Sequence, residues 1–63
     1  MFHVGYMFDV VCRNITGRID GVGCSTYSVT FYKDGKFYFM ADVFESTIIN
    51  NLKCGTYVER GYL

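Results

Sequence analysis

Residues 26–46 read TYSVTFYKDGKFYFMADVFES, two aromatic-rich runs that meet at Asp34-Gly35, and the way these runs pair decides the fold. A two-residue Asp34-Gly35 loop sets Lys33 opposite Lys36 and leaves both faces mixed, which is unfavourable on both counts. A three-residue loop, Lys33-Asp34-Gly35, puts Gly35 in the left-handed bulge position after a type I turn and pairs Tyr32 with Lys36. Phe31 then opposes Phe37, Val29 opposes Phe39 and Tyr27 opposes Ala41, all of them apolar. Thr26, Ser28, Thr30 and Tyr32 share the other face with Lys36, Tyr38, Met40 and Asp42. A one-residue slip would reverse every side chain, so this segregation favours the bulged hairpin, with strands over about 26–33 and 36–42.

After the hairpin, Asp42 is followed three residues later by Glu45, a capping-box spacing with Asp in place of Ser or Thr. A helix is expected over about 43–54, since Phe44, Ile48, Ile49 and Leu52 recur at helical spacing. Lys53 suits its negative end and Gly55 supplies a left-handed stop. The last residues, TYVERGYL, read as a closing strand. Ahead of the hairpin, Phe2, Val4, Tyr6, Phe8, Val10 and Cys12 alternate with His3, Gly5, Met7, Asp9, Val11 and Arg13, the signature of a half-buried strand. Between them, NITGRIDGVGC (14–24) holds Gly17, Gly21 and Gly23 and reads as turns around a short strand or loop. The expected fold class is α+β, a small antiparallel sheet with the hairpin at its centre, one helix packed on one face and a C-terminal strand.

With 63 residues the chain is expected to form one small domain, near the size at which stability is marginal. Hydrophobic residues make up 51% and charged ones 19%, which excludes the composition of a disordered chain. The three cysteines, Cys12, Cys24 and Cys54, are odd in number, so they cannot all pair within the chain. Without a CxxC pair, and with His3 as the sole histidine, no zinc site or other cofactor is expected. Residues 1–13 lack the basic start and apolar run of a signal peptide, and no run is long enough to span a membrane. A cytoplasmic location with reduced thiols follows as the expectation, and makes the Asn14-Ile15-Thr16 sequon incidental. Six basic residues balance six acidic ones, so no global field steers the chain to nucleic acid or anionic lipid.

No constellation of residues marks a catalytic site. Asp9, Asp20, Asp34, Asp42, Glu45 and Glu59 are scattered, and Asp34 and Asp42 already have turn and cap roles. The cysteines are expected to be small buried or half-buried thiols, and His3 a surface residue. Gly21-Val22-Gly23 lacks the strand-to-helix context and the Lys-Ser/Thr of a phosphate loop. The candidate binding residues are those on the outward side of the hairpin, Tyr32, Tyr38, Met40 and Lys36, with Lys33 near the turn. Aromatic residues of this kind are enriched at protein interfaces, and interspersed with cations they also stack unpaired bases. The chain has no proline to guard a sheet edge, which leaves strand addition open to a partner or to a second copy.

The run VTFYKDGKFYFMADVFESTIINNLKCGTYV, residues 29–58, resembles the KTSC domain. The likeness lies in a hydrophobic strand, a glycine turn, an aromatic strand, a short helix and a Gly-x-aromatic close at Gly55-Thr56-Tyr57. The Val-Pro that precedes the helix in that family has no counterpart here, and Lys53-Cys54 replace its serine. The resemblance implies an α+β fold and a loose association with nucleic-acid and translation proteins, and brings no catalytic residues with it.

The sequence thus leads to a small non-enzymatic binding protein that docks on a protein partner, a stand-alone inhibitor or adaptor of the kind encoded by phages and mobile elements. The alternatives are a single-stranded nucleic-acid-binding module using Tyr32, Lys33, Lys36, Tyr38, Arg13 and Arg18, and a cysteine-dependent enzyme.

Overall fold

The computed structural model describes residues 2–62. Five strands form one antiparallel sheet: β1 (Tyr6–Val10), β2 (Ile15–Val22), β3 (Thr26–Lys33), β4 (Lys36–Phe44) and β5 (Tyr57–Tyr62). A helix, α1 (Glu45–Cys54), joins β4 to β5. The spatial order is β4-β3-β2-β1-β5, so β1 to β4 meander and α1 carries the chain from one edge of the sheet to the other. The α+β class, the hairpin, the packed helix and the closing strand are all present, but the hairpin lies at one end of the sheet, with β4 outermost, and not at its centre. Leu63, the end of the expected last strand, lies outside the described residues.

Alternation along the strands sends Tyr6, Phe8, Ile19, Tyr27, Val29 and Phe31 to one face, where they form the core with Ile48 of α1. Phe2, Val10, Ile15, Ala41, Val43, Leu52 and Tyr57 pack around them. Aromatic contacts knit this layer: Phe8 stacks on Tyr57 at 4.4 Å and stands edge-on to Phe31 at 6.2 Å. The opposite face of the sheet carries no helix.

The glycine-rich connector is a strand. Residues 15–18 pair with β1 and 15–22 with β3, because Gly17 supplies the space that the Phe8 ring needs and the register shift beside Asp20 absorbs the one irregularity. The first strand is shorter than its alternation suggests. Residues 11–14 turn through positive φ at Cys12 (64°) and Asn14 (54°), which takes Cys12 out of the apolar stripe and exposes it.

The hairpin turn also differs from the expectation. Lys33 does face Lys36 across a two-residue loop, with φ of 54° at Asp34 and 81° at Gly35. Positive φ at both central residues marks a type I′ turn, whose twist matches that of the flanking strands. The expected bulge lies within β4 instead. Tyr32 pairs with Phe37 and Phe31 with Phe39, so Tyr38 is the extra residue. Val29 then opposes Ala41 and Tyr27 opposes Val43, a shift of two residues from the expected partners that keeps Phe39 and Ala41 on the core face, while the bulge sends Phe37 to the other. The like charges are tolerable because both lysines are solvated at the hairpin end, where Lys33 Nζ lies 5.5 Å from the centre of the Tyr38 ring.

The helix begins two residues later than expected and without a capping box. Phe44 occupies the N-cap position with no side-chain cap, and Asp42 remains in β4, accepting a hydrogen bond from Ser28 Oγ at 3.2 Å. The Glu45 N–H donates to the Ser25 carbonyl at 3.0 Å, which satisfies one of the free donors at the helix start. The expected stop holds: Gly55 adopts φ of 88° after Lys53 in the last turn.

Two tyrosine hydroxyls tie the core layer to its acidic margin. Tyr27 donates to Glu45 Oε2 at 2.6 Å and accepts from the Phe2 N–H at 3.1 Å. Tyr6 donates to Glu59 Oε1 at 3.1 Å, and burial, reinforced by this carboxylate, pushes its hydroxyl up to about 12. A folded-state value above the unfolded 10 stabilises the fold below pH 10 and ceases to do so as the pH rises through 12. Denaturant unfolding between pH 9 and 12 should therefore show a loss on the order of 2 kcal/mol that shrinks in Tyr6→Phe. An unchanged slope in the variant would refute the assignment.

Candidate functional site

β4 is the outer strand of the sheet and, among the described residues, pairs on one side only. Residues 36–40 are all exposed, and the large apolar side chains along the strand are open to solvent: Phe37 by 64%, Tyr38 by 50%, Phe39 by 42%, Met40 by 60% and Phe44 by 60%. Soluble proteins blunt such edges with proline, short strands or a covering element. β4 runs nine residues with no proline, and its one irregularity is the bulge at Tyr38.

The bulge distributes the aromatics. Phe37, as the partner of Tyr32, stands on the uncovered face, while Phe39 stacks on Phe31 at 4.7 Å with an interplanar angle of 21°. The Tyr38 ring meets Phe39 edge-on at 5.0 Å. The five expected site residues therefore do not form a single patch. Tyr32 and Met40 belong to the uncovered face, where Tyr32 is half-buried with the Arg18 guanidinium 5.3 Å from its ring centre. Lys33 and Lys36 flank the turn, and Tyr38 lies between Lys33 and Phe39.

Phe37, Phe39 and Phe44 are the residues that sequence reasoning missed, having placed the first two in the core and the third on the helix stripe. Alternation alone cannot distinguish an edge strand from a central one. The signal that was available is the unbroken run Phe37-Tyr38-Phe39-Met40, since a strand half-buried by one helix layer has no use for four large apolar residues in succession.

The uncovered face next to β4 is polar and internally satisfied. Arg18 Nε donates to Asp20 Oδ1 at 2.8 Å, Thr30 Oγ1 donates to Asp20 Oδ2, and Thr16 Oγ1 donates to Asp9 Oδ1 at 2.8 Å. The Arg18 hydrogen bonds, followed by that of Thr30, hold the Asp20 carboxyl below the usual carboxylate range. The cation that would face a nucleic acid from the middle of this sheet is thus already engaged by a carboxylate.

All three cysteines are exposed, contrary to the expected burial. Cys54, at the end of α1, has its Sγ 3.2 Å from Thr56 Oγ1, and the hydroxyl and backbone of Thr56 pull its thiol below the ordinary range. Among the described residues, no three His, Cys, Asp or Glu side chains gather to hold a metal ion. A cavity of about 30 Å³ between residues 22–27 and Glu45 has room for little more than one water. No helix of the described residues is long and apolar enough to cross a membrane.

No family model matches the chain, and neither a curated protein nor a solved structure matches it.

Proposed function

We propose that this chain is a small non-enzymatic docking module that engages another protein through β4. The observation that carries this reading is the row of five large apolar side chains exposed along a nine-residue strand whose outer backbone edge is unpaired. An unpaired strand offers a partner main-chain hydrogen bonds, and alternating side chains supply specificity. Aromatics and methionine are also the side chains enriched in interface cores. Three exposed free thiols favour the reducing cytoplasm as the setting. An inhibitor or adaptor that works by occupying a strand edge of its target is the role that such a surface suits.

Site-specific photo-crosslinking tests the assignment. A benzoylphenylalanine placed at Phe37 or Met40 is expected to give protein adducts in the native cell at far higher yield than one at Val11, an exposed residue outside β4. Equal yields would remove β4 as the docking element. With the crosslinker at position 37, Met40→Lys should abolish the adduct while changing stability by about 0.5 kcal/mol or less, because the Met40 side chain is largely solvated.

Single-stranded nucleic-acid binding is the competing reading, favoured by the Lys33–Tyr38 contact and by the resemblance of residues 29–58 to the KTSC domain. Salt-sensitive binding to single-stranded RNA that is lost in Tyr38→Ala would establish it.

A further inference from the structure

We propose that β4 closes on a second copy of this chain, the two β4 strands running antiparallel about a two-fold axis near Phe39. The proposal rests on β4 being a protein-docking edge and names the occupant of that edge.

The charge pattern along β4 is self-complementary. Lys36 opens the strand with Lys33 beside it across the turn, while Asp42 and Glu45 lie towards its other end. Phe39 is midway in sequence both between Lys36 and Asp42 and between Lys33 and Glu45. A two-fold axis there brings the basic end of each copy to the acidic end of the other, twice, whereas parallel pairing would set like charge against like.

The apolar pattern has the same symmetry. The axis lays Phe39 on Phe39 of the second copy and turns Phe37 and Tyr38 towards the second copy's Met40. Each copy exposes five large apolar side chains by 42–64%, which at about 200 Å² apiece comes to about 500 Å². Full coverage on both copies removes about 1,000 Å² in total, the low end of specific interfaces.

Sedimentation equilibrium at rising concentration tests this, with an expected mass of twice 7.2 kDa. Lys36→Asp leaves β4 itself with an acidic residue at each end, and Asp42→Lys leaves it with a basic residue at each end. Each variant alone should associate about tenfold more weakly than the wild type, and an equimolar mixture of the two should recover wild-type association. Met40→Lys, in the middle of the seam, should leave a folded monomer by circular dichroism. A wild-type chain that stays monomeric, or a mixture no tighter than its components, overturns the proposal. A monomeric chain that still crosslinks another protein from position 37 overturns the second copy as occupant and leaves the docking edge standing. A monomeric chain with no adduct from positions 37 and 40 overturns both.

Discussion

Gly17→Val is expected to leave no folded population, and Gly17→Ala is expected to cost about 3 kcal/mol. Gly17 pairs directly with Phe8 and is buried beneath its ring. A Cβ at Gly17 would collide with Phe8 Cζ and lie 2.7 Å from Cε2, closer than carbon atoms approach without displacement. The ring has nowhere to go, because Tyr57 stacks on it at 4.4 Å and Phe31 abuts it at 6.2 Å. At roughly 0.05–0.15 kcal/mol per residue, a chain of this size has only about 3–9 kcal/mol in total, so one methyl group consumes much of the margin. Thermal and urea unfolding measure the loss. Adding Phe8→Leu to Gly17→Ala should recover part of it, since it withdraws the tip of the ring, and the coupling in that cycle should exceed about 1 kcal/mol. A Gly17→Ala midpoint within about 4 °C of wild type would sink the argument.

Ile48→Ala is expected to cost about 3 kcal/mol and to release the helix from the sheet. Ile48 is the one helix residue that is fully buried, and it meets the core that Tyr6, Phe8, Ile19, Tyr27, Val29 and Phe31 form. A ten-residue helix is too short to persist in water on its own, so its stability comes from that contact. Helical circular dichroism should therefore fall along with the unfolding midpoint. Ile49→Ala, at a half-buried position of the same helix, should cost about 1 kcal/mol and serves as the comparison. Equal costs at the two positions would show that helix propensity, and not the anchor, decides.

Much of this architecture was legible in the residues, and the exceptions have physical causes. Face assignment from Phe39 to Ala41 survived an error of two in the register, because side chains repeat every two residues, whereas Phe37 and Lys36, on the turn side of the bulge, changed faces. The turn was misjudged because the Lys33–Lys36 repulsion was weighed without the solvent and the Tyr38 ring that relieve it. β2 was hidden by its glycines. Gly17 reads as a turn residue until Phe8 is seen to lie across it, a pairing between distant segments that no local window contains. Asp42 has the spacing of a helix cap, but Ser28 engages it first, and Ser28 belongs to a neighbouring strand. The candidate site was half legible for a related reason. Composition and spacing pointed to the hairpin, while the exposure of Phe37 and Phe39 depends on which strand ends the sheet. That order is a property of the whole chain.

The path of α1 across the sheet also has a consequence in time. β1 to β4 follow one another through short connections, so each new strand finds its neighbour as soon as it emerges. β5 does not: its contacts with β1 include a Tyr6–Glu59 hydrogen bond that spans 53 residues and the stacking of Tyr57 on Phe8. Until β5 is synthesised, β1 is an open edge and one side of the Phe8 ring stays uncovered. The final strand sets the moment at which the Phe8 ring is covered, and a chain halted before Tyr57 presents β1, with that ring bare, as an edge in place of β5.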